Sequence, residues 1–476
     1  MRKTIVNLLS FAMLLGLLGC DTNATEHTTA EAIGGDCPMF MAGFGKTDIT
    51  PQDPVPLQGY GDDRARISTG LLTYIEIGCL AITDERNETL LFLVADLSEA
   101  SKIVAAPAIE AIEKQLGIPS DHIIISGTHT HSSVSVGTTD NPVILQYNQF
   151  FVSQAVEAAR LALEDRKPAQ VFAGSTRTEN LNFVRRYIMD DGSLTCDGTP
   201  GTGTKVVSHE SEADNQLQLL KFVREGKKDI LVANYQAHPH LEGKTSQISA
   251  QTVGAFRTAV EKELDAHCLY WQGAAGNLRS DSRIEGETRT RDRDEYGKLL
   301  CGYVKDVYDS LEPVKTGPVV IRKTEFQARV NHTFDHLLTE AQEVHEYKNS
   351  GVTSDEAKAY AVSKGFNSAH QASRIVANAS LPETVPMTLV AFSFGEIAGV
   401  VAGYEMFDTN GMYIKENSPF AMTFIVGYAH PVFGGYIPTA ASFANGGYEV
   451  DNGTFAGGTG EELAGAFLDL LGQIHG

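Results

Sequence analysis

Strand-like and amphipathic segments alternate along most of the chain. Apolar runs rich in β-branched residues, which favour strands, lie at residues 72–83, 89–96, 122–126, 170–176, 217–222, 230–235, 268–271, 387–394, 397–401 and 423–426. Helical patterns lie at residues 101–116, 149–165, 249–267, 291–311 and 461–474. No repeat and no linker rich in Pro, Gly or Ser divides the chain, so the alternation predicts a single large α/β domain.

One region departs from this alternation. Residues 335–378 form a long polar stretch with a helical pattern, and they carry most of the charge in the centre of the chain. A helix that is largely polar is poorly suited to a core. We therefore expect a helical insertion at about residues 335–378 that projects from a domain spanning residues 37–476.

Composition and charge exclude several classes of protein. The chain has 476 residues, of which 42% are hydrophobic and 21% are charged. These values are typical of a globular, enzyme-sized protein and not of a disordered or multi-span membrane protein. Acidic residues number 60 and basic residues 38, which gives a net charge of -22 at pH 7. A field of that sign repels phosphate backbones, so we expect no nucleic-acid partner.

The N-terminus has the pattern of a secretion signal. Arg2 and Lys3 precede an apolar stretch at residues 5–18, which is too short to span a bilayer. The stretch leads to Leu-Leu-Gly-Cys and resembles the lipobox of bacterial lipoproteins, although an ordinary signal peptide with a chance cysteine has a similar pattern. We expect a signal peptide at residues 1–20, lipidation of Cys20 and a flexible tether at residues 21–36. The domain would then be an extracytoplasmic, membrane-anchored lipoprotein that faces the periplasm or the cell surface.

The segment most informative about chemistry is Ser-Gly-Thr-His-Thr-His-Ser-Ser at residues 126–133, directly after a predicted buried strand. Residues two apart in an extended chain face the same side, so His129 and His131 are expected to point together. Two imidazoles at a strand end suit a metal site or an acid–base pair. Taken alone, the pattern also fits two polar loop histidines.

Three further candidates follow predicted strands. His238 lies just before Pro239 near the carboxyl end of a strand, where α/β proteins build sites. Glu405 follows a Gly-containing turn, and such a carboxylate either ligates a metal or caps a helix. Tyr436 follows two glycines that permit close approach of another group, but it can equally be a packed aromatic residue.

Seven short motifs, each ambiguous alone, follow one another from about residue 41 to residue 450. They are Ala-Gly-Phe-Gly-Lys-Thr-Asp-Ile-Thr-Pro at 42–51 with Leu-Gln-Gly-Tyr-Gly at 57–61, Gly-Thr-His-Thr-His-Ser at 127–132, Phe-Val-Arg-Arg-Tyr at 183–187, His-Pro at 238–239 with Ile-Ser-Ala at 248–250, Trp-Gln-Gly-Ala-Ala-Gly-Asn at 271–277, a strand–Gly–Glu segment at 395–407, and Gly-Tyr at 435–436 with Tyr-Glu at 448–449. In this order they resemble the neutral/alkaline non-lysosomal ceramidase family. The resemblance implies that family's catalytic-domain fold, in which helices flank mixed β-sheets.

The resemblance also implies a role for each matching residue. The implied ligands of a Zn²⁺ cofactor are His129, His238, Glu405 and Tyr436. The implied catalytic residues are His131 beside the metal, Tyr448 as the donor to the oxyanion and Arg185 in the wall of the substrate site. Asn277 belongs to a loop implied to bind substrate. A donor set of this kind leaves Zn²⁺ open to water, whose pKa the ion lowers to about 7.

The chain departs from the family on the substrate side. Where ceramidases have their active-site serine, this chain has Arg279, and Ser280 comes one position later. Val184 replaces the asparagine that precedes the family's arginine. Arg279 is expected to bind substrate by meeting an anionic or sugar-like group, or else to form an ordinary ion pair.

These features predict a zinc-dependent hydrolase that cleaves an amide (N-acyl) bond with metal-activated water. The expected substrate is a small N-acyl lipid or N-acyl sugar-like molecule and not ceramide itself. The expected contact with the membrane is through the lipid anchor only. Two other functions stay open at this stage: a metal-dependent esterase or lactonase, and a surface lipoprotein that binds a ligand without catalysis.

Overall fold

The computed structural model describes residues 39–60, 66–137, 140–196 and 204–475. The predicted signal peptide, Cys20 and the tether lie outside these residues. The chain from Pro38 onward forms one compact unit. None of the helices in the described residues combines the length and the apolarity that a bilayer span requires.

Strands form where apolar and β-branched residues run together. Every residue of the strand Thr89–Ala95 is buried, as expected for a strand that is covered on both faces and therefore has a continuous apolar sequence. The strands are β1 (Met41–Asp48), β2 (Gly70–Leu71), β3 (Glu76–Thr83), β4 (Thr89–Ala95), β5 (Ile123–Gly127), β6 (Lys167–Arg177), β7 (Phe183–Val184), β8 (Arg186–Met189), β9 (Leu194–Cys196), β10 (Val206–His209), β11 (Gln216–Arg224), β12 (Ile230–Tyr235), β13 (Gln247–Ile248), β14 (His267–Gln272), β15 (Leu278–Arg279), β16 (Glu312–Pro313), β17 (Val319–Arg329), β18 (Thr384–Phe394), β19 (Ile397–Ala402), β20 (Glu405–Met406), β21 (Met422–Gly427) and β22 (Tyr436–Ile437).

Several helices begin at a residue whose side chain caps the first turn. The helices are α1 (Lys102–Leu116), α2 (Pro142–Glu164), α3 (Gln251–Leu264), α4 (Arg293–Val307), α5 (Leu338–Lys348), α6 (Ser354–Ser363), α7 (Ala369–Ala379), α8 (Asp408–Asn417), α9 (Ala440–Ala444), α10 (Tyr448–Asp451) and α11 (Thr459–His475). α2 begins at residue 142 and not at the predicted residue 149. The reason is that Asn141 caps the backbone N–H of Val143, and Pro142 suits the first helical turn.

The main sheet is mixed. Its strand order is β14-β12-β11-β6-β1-β3-β4-β5, and β16 pairs with β6. β4 pairs with β5 and β12 with β14 in parallel, whereas the other pairs are antiparallel. This sheet and its helices confirm the predicted α/β class.

A second sheet packs against the first through buried aromatic rings. Its order is β17-β18-β19-β21, with β19 and β21 parallel. The ring of Phe92 in β4 lies 4.9 Å from Trp271 in β14 and 4.8 Å from Phe392 in β18. Trp271 in turn lies 5.4 Å from Phe424 in β21. Full burial of each such side chain contributes roughly 1.5–3 kcal/mol, so this aromatic cluster holds the two sheets together.

The main sheet curves until strands from its two ends meet. β14, at one end of the strand order, contacts β3, β4 and β5 towards the other end. β21 contacts both β5 and β14, and Ser126 in β5 forms a bridge to Ala429 just after β21. The loops that leave the parallel strands of both sheets therefore lie around one region, which is where α/β proteins place their sites.

The polar stretch at residues 335–378 contains three short helices, α5 to α7. It is interrupted near Gly351 and Gly365, whose φ angles of 92° and 90° favour glycine. The helices share a small apolar cluster that includes Ala361, Phe366 and Ile375. The buried side of these helices consists largely of alanine. The helices therefore contain few large apolar residues, and their sequence looks polar. The stretch does not simply project from the domain, because α7 packs against α10.

A buried ion pair joins the end of β4 to α3. Two nitrogens of Arg257 donate to the two oxygens of Asp96 at 2.9 and 2.6 Å, and the side chains are 7% and 0% exposed. Asp96 also accepts from Thr128 Oγ1 at 3.1 Å. Since Thr128 directly precedes His129, the pair orders the start of the loop that carries the candidate histidines.

We expect Arg257→Met to destabilise the domain strongly, because it leaves Asp96 as a buried charge without its guanidinium. Removing one member of a buried pair costs about 3–5 kcal/mol in the free energy of unfolding, and urea denaturation followed by circular dichroism measures that loss. The control is Lys305→Met, which breaks a largely exposed ion pair with Glu263 and should have little effect. Equal losses in the two variants would contradict the role given to the buried pair.

Candidate metal centre

The predicted histidines meet where the parallel strands end. His129 and His131 follow β5, and His238 lies shortly after β12. All three side chains are nearly buried. Among the described residues, they are the group whose potential ligand atoms all lie within 4.8 Å of one another. The region near the carboxyl ends of these strands therefore holds a candidate metal site.

The turn at His129 brings the first two imidazoles together. His129 has a left-handed backbone with φ 65°, so the chain here is not extended and the extended-chain argument is wrong in its geometry. The two rings still meet, with Nε2 of His129 3.2 Å from Nε2 of His131. Gly59 permits this arrangement, because a Cβ at that position would lie 2.5 Å from Cγ of His131.

Hydrogen bonds to backbone carbonyls orient two of the rings. Nε2 of His238 lies 3.1 Å from Nε2 of His129. Nδ1 of His129 lies 2.7 Å from the carbonyl oxygen of Ser98. Nδ1 of His238 lies 2.9 Å from that of Ala275 and 2.8 Å from that of Leu278. A carbonyl only accepts, so both rings carry a proton on Nδ1 and direct Nε2 into the cluster, which is the orientation of metal-ligating histidines.

His131 is held differently from the other two histidines. Its Nδ1 is buried and has no hydrogen-bond partner within the described residues. Its backbone N–H donates to Gln251 Oε1 at 2.8 Å, and its carbonyl accepts from Arg66 Nη2 at 2.9 Å. Burial and the neighbouring imidazoles lower the pKa of His131 well below its usual value, so its ring is neutral at pH 7.

Glu405 supplies a carboxylate to the same cluster. Its Oε2 lies 3.2 Å from Nε2 of His238 and 3.5 Å from Nε2 of His129. Burial alone would raise the pKa of Glu405, but the two imidazoles outweigh it and lower the pKa. Burial lowers the pKa of His238 to about 4, and Arg185 contributes to the same shift. The cluster therefore holds an ionised carboxylate and a neutral His238.

These residues fit a bound cation. The Nε2 atoms of His129 and His238 face each other at 3.1 Å, and the carboxylate oxygen of Glu405 that faces both has no hydrogen-bond partner within the described residues. A positive ion among them satisfies all three groups. Imidazole nitrogens with a carboxylate oxygen are the donors that Zn²⁺ and other divalent transition metals accept.

The predicted oxygen donors Glu405 and Tyr436 lie side by side. β20 and β22 form a two-stranded parallel ladder in which these two residues are paired in register. Tyr436 is 8% exposed, and burial together with the nearby Glu405 raises the pKa of its hydroxyl well above the usual value. Gly276 permits the close approach of β20, since a Cβ there would lie 2.4 Å from the carbonyl oxygen of Glu405.

Arg185 and Tyr448 form a wall next to this ladder. The guanidinium carbon of Arg185 lies 5.3 Å from the ring centre of Tyr436 and 5.7 Å from that of Tyr448, which is the range of cation–π contacts. Arg185 also donates from Nε to Glu449 Oε1 at 2.8 Å and from Nη2 to the carbonyl of Gly276 at 3.0 Å. Tyr448 is 47% exposed, so it lies on the open side of the wall.

The two residues predicted to bind substrate are engaged within the protein. Arg279 pairs with Asp281 at 2.9 Å, and its backbone bridges to His238. Asn277 is 2% exposed and forms two hydrogen bonds with Asp408, one through each end of its amide, at 2.7 and 3.0 Å. Direct binding of substrate by Asn277 would require these bonds to break, and the ordinary ion pair considered for Arg279 is present.

Sequence reasoning missed three aromatic neighbours of the cluster. The ring of His240 lies 4.7 Å from that of His131, and Tyr60 meets His131 edge-on at 5.2 Å. Tyr428 stacks on His129 at 3.9 Å, and its buried hydroxyl has no hydrogen-bond partner within the described residues. Tyr60 belongs to a motif segment already noted, and His240 directly follows the His-Pro motif at residues 238–239. Tyr428 directly follows the parallel strand β21, so the rule that places sites at strand ends could have identified it.

Comparison with known families agrees with this arrangement. Residues 40–276 match the model of the neutral/alkaline non-lysosomal ceramidase family, N-terminal domain. The chain belongs to the neutral/alkaline non-lysosomal ceramidase family. The matched region contains His129, His131 and His238, whereas Glu405 and Tyr436 lie beyond it.

Solved structures share the fold of this family member. The neutral ceramidase from Pseudomonas aeruginosa superposes with a TM-score of 0.68 at 17% identity, over 92% of this chain and 74% of that one. A structure described as a ceramidase complexed with C2 gives a TM-score of 0.68 at 16% identity, over 91% of this chain and 75% of that one. At these identities the likeness concerns the fold.

We expect His238→Ala to lose bound metal, because the substitution removes one of the two carbonyl-oriented imidazoles. Mass spectrometry of the purified proteins for first-row transition metals should find a nearly stoichiometric ion in the parent and only a small fraction of it in the variant. His336→Ala, which removes an exposed histidine that is not part of the cluster, should bind as much metal as the parent. Full retention by His238→Ala would refute its assignment as a ligand.

Proposed function

We propose that the protein is a zinc-dependent hydrolase that cleaves the amide bond of an N-acyl substrate. The observation that carries the proposal is the buried cluster in which the Nε2 atoms of His129 and His238 and the Oε2 of Glu405 face one another. Family membership supports a ceramidase-type hydrolase. His129, His238 and Glu405, with Tyr436 beside Glu405, would hold the ion.

Zn²⁺ bound there supplies a Lewis acid for the substrate carbonyl and lowers the pKa of water at the site to about 7. The residues around it then bind, orient and transfer protons. The ligand assignment follows the contacts at Nδ1: His129 and His238 each donate to a carbonyl, the usual support of a metal-bound imidazole, whereas His131 does not.

His131 is therefore assigned to proton transfer. Its Nε2 lies 3.2 Å from Nε2 of His129, and its lowered pKa leaves the ring neutral and able to accept a proton. In the proposed reaction, His131 takes the proton of the attacking water and delivers it to the nitrogen of the leaving amine as the carbon–nitrogen bond breaks. The products are the free carboxylate and the amine.

Tyr448 and Arg185 act on the substrate side. Tyr448 is partly exposed, and its hydroxyl is assigned as the donor to the oxygen that becomes negative in the tetrahedral intermediate. Arg185 contacts the rings of both Tyr436 and Tyr448, whose centres lie 5.7 Å apart, and it is fixed by the buried Glu449. Its positive charge favours the developing oxyanion and orients both tyrosines.

The substrate is proposed to be an N-acyl lipid or N-acyl sugar-like molecule for which ceramide is a poor substitute. At the position of the ceramidase serine, Arg279 pairs with Asp281, and Asp281 pairs in turn with Arg291. A charged pair replaces a small hydroxyl directly beside His238. The lipid anchor at Cys20 and an extracytoplasmic location stay part of the proposal and rest on the N-terminal sequence pattern.

We expect a zinc chelator to abolish hydrolysis of N-acyl amides and added Zn²⁺ to restore it. The substrates to be tested are N-acyl glucosamines, N-acyl ethanolamines and a fluorogenic ceramide. Each amide is paired with the corresponding ester, so that an esterase or lactonase would be detected. Ester cleavage without amide cleavage would overturn the assignment of the bond. Rapid ceramide turnover would overturn the proposed substrate preference.

We expect Tyr448→Phe to lower kcat by about 10²–10³-fold, the usual effect of losing one oxyanion donor, with metal content unchanged. The matched control is Tyr413→Phe, which removes the hydroxyl of another roughly half-exposed tyrosine and should leave kcat unchanged. Equal kcat for Tyr448→Phe and the parent would exclude the oxyanion role.

A further inference from the structure

The short turn that carries Tyr448 is held on one side by buried arginines. α10 contains only the four residues Tyr448–Asp451. Its Glu449 is fully buried and accepts from Arg185 Nε at 2.8 Å and from Arg186 Nη1 at 2.9 Å. Arg186 is itself fully buried and is paired with Glu210. The first half of α10 is thus fixed by an ionic network next to the wall of the site.

The other end of α10 is held by the helical insertion. Asp451 is 9% exposed, and its Oδ2 accepts from Asn367 Nδ2 at 2.7 Å. Its Oδ1 accepts from Gln371 Nε2 at 2.9 Å. Oε1 of Gln371 accepts from the backbone N–H of Asn367 at 2.8 Å, so the two donors are oriented with respect to each other before they meet the carboxylate.

α7 continues along the chain that follows α10. Arg374 Nη1 donates to Thr454 Oγ1 at 2.9 Å, and Asn378 Nδ2 donates to the carbonyl of Gly453 at 3.2 Å. One face of α7 therefore binds residues 451–454 through polar side chains. Because hydrogen bonds are directional, they define where residues 451–454 lie relative to α7. A purely apolar contact would let the two segments slide past each other.

We propose that Asn367 and Gln371 are positioning residues of the active site, which act on Tyr448 through Asp451. A four-residue helix has too few internal hydrogen bonds to hold its own geometry, so its position depends on its neighbours. Displacement of a catalytic group by about 1 Å costs up to 10²-fold in rate. The inference rests on the proposed function, in which Tyr448 is the oxyanion donor, and it makes the helical insertion a structural part of the site.

The test uses the full chain and reverses the donor and the acceptor of the hydrogen bond between Gln371 and Asp451. Gln371→Glu places a carboxylate against Asp451, which removes the bond and introduces repulsion. Combining Gln371→Glu with Asp451→Asn lets the new amide donate to the new carboxylate, and this restores the bond in the opposite direction. Gln342→Glu makes the same chemical change on the exposed surface of α5 and is the matched control.

The first readout does not depend on activity. Hydrogen exchange measured by mass spectrometry should become faster in residues 447–454 of Gln371→Glu, return towards the parent in the double variant, and remain unchanged in Gln342→Glu. The second readout is hydrolysis of the N-acyl amide. Gln371→Glu should lower kcat by about 10- to 100-fold with metal content unchanged, and the double variant should recover most of that loss.

Two results would overturn the inference. One is parent-like exchange at residues 447–454 in Gln371→Glu. The other is a kcat that falls in Gln371→Glu and stays low in the double variant although exchange is restored, since that result separates the contact from catalysis. If the parent cleaves no N-acyl amide but exchange follows the expected pattern, the proposed function fails while the mechanical link between α7 and α10 is supported.

Discussion

The structure of the site depends on one electrostatic constraint. Two buried imidazoles, fixed by bonds from Nδ1 to backbone carbonyls, direct their Nε2 atoms towards each other and towards an ionised carboxylate. Such an arrangement is unfavourable without a positive charge among its members. The fold maintains it because each ring is oriented by the backbone, which cannot rearrange without breaking strand-end hydrogen bonds. The candidate cation site is therefore built into the scaffold.

The scaffold brings these groups together because the main sheet is curved. β5 and β14 lie at opposite ends of its strand order, and they still meet and enclose β21 of the second sheet. The buried rings of Phe92, Trp271 and Phe424 fill the space between the sheets. With the strands so packed, the loops that carry His129, His238 and Glu405 leave from neighbouring strand ends. The packing of the two sheets thus sets the distances between the three candidate ligands.

The substrate side is organised by a different kind of contact. Arg185, Arg186 and Glu449 form a buried network that costs desolvation and is favourable only when every charge is paired. This network and the polar face of α7 hold α10 from opposite sides. Tyr448 lies at the start of that turn, partly exposed and therefore accessible to a ligand. The buried histidine cluster and the exposed tyrosine therefore have separate supports in the fold.

The order of elements and the identity of the main candidates were determined by the sequence alone. Continuous apolar runs predicted the buried strands, and motif order predicted that His129, His131, His238, Glu405 and Tyr436 belong to one family pattern. Local patterns report burial and periodicity, and these predict elements without specifying which elements meet. The left-handed turn at His129, the register that places Glu405 beside Tyr436, and the stacking of Tyr428 arise from contacts between distant segments. The same holds for the contacts of Asn367 and Gln371 with Asp451, because hydrogen bonds between residues some eighty positions apart leave no periodic trace in sequence and exist only once the tertiary structure has formed.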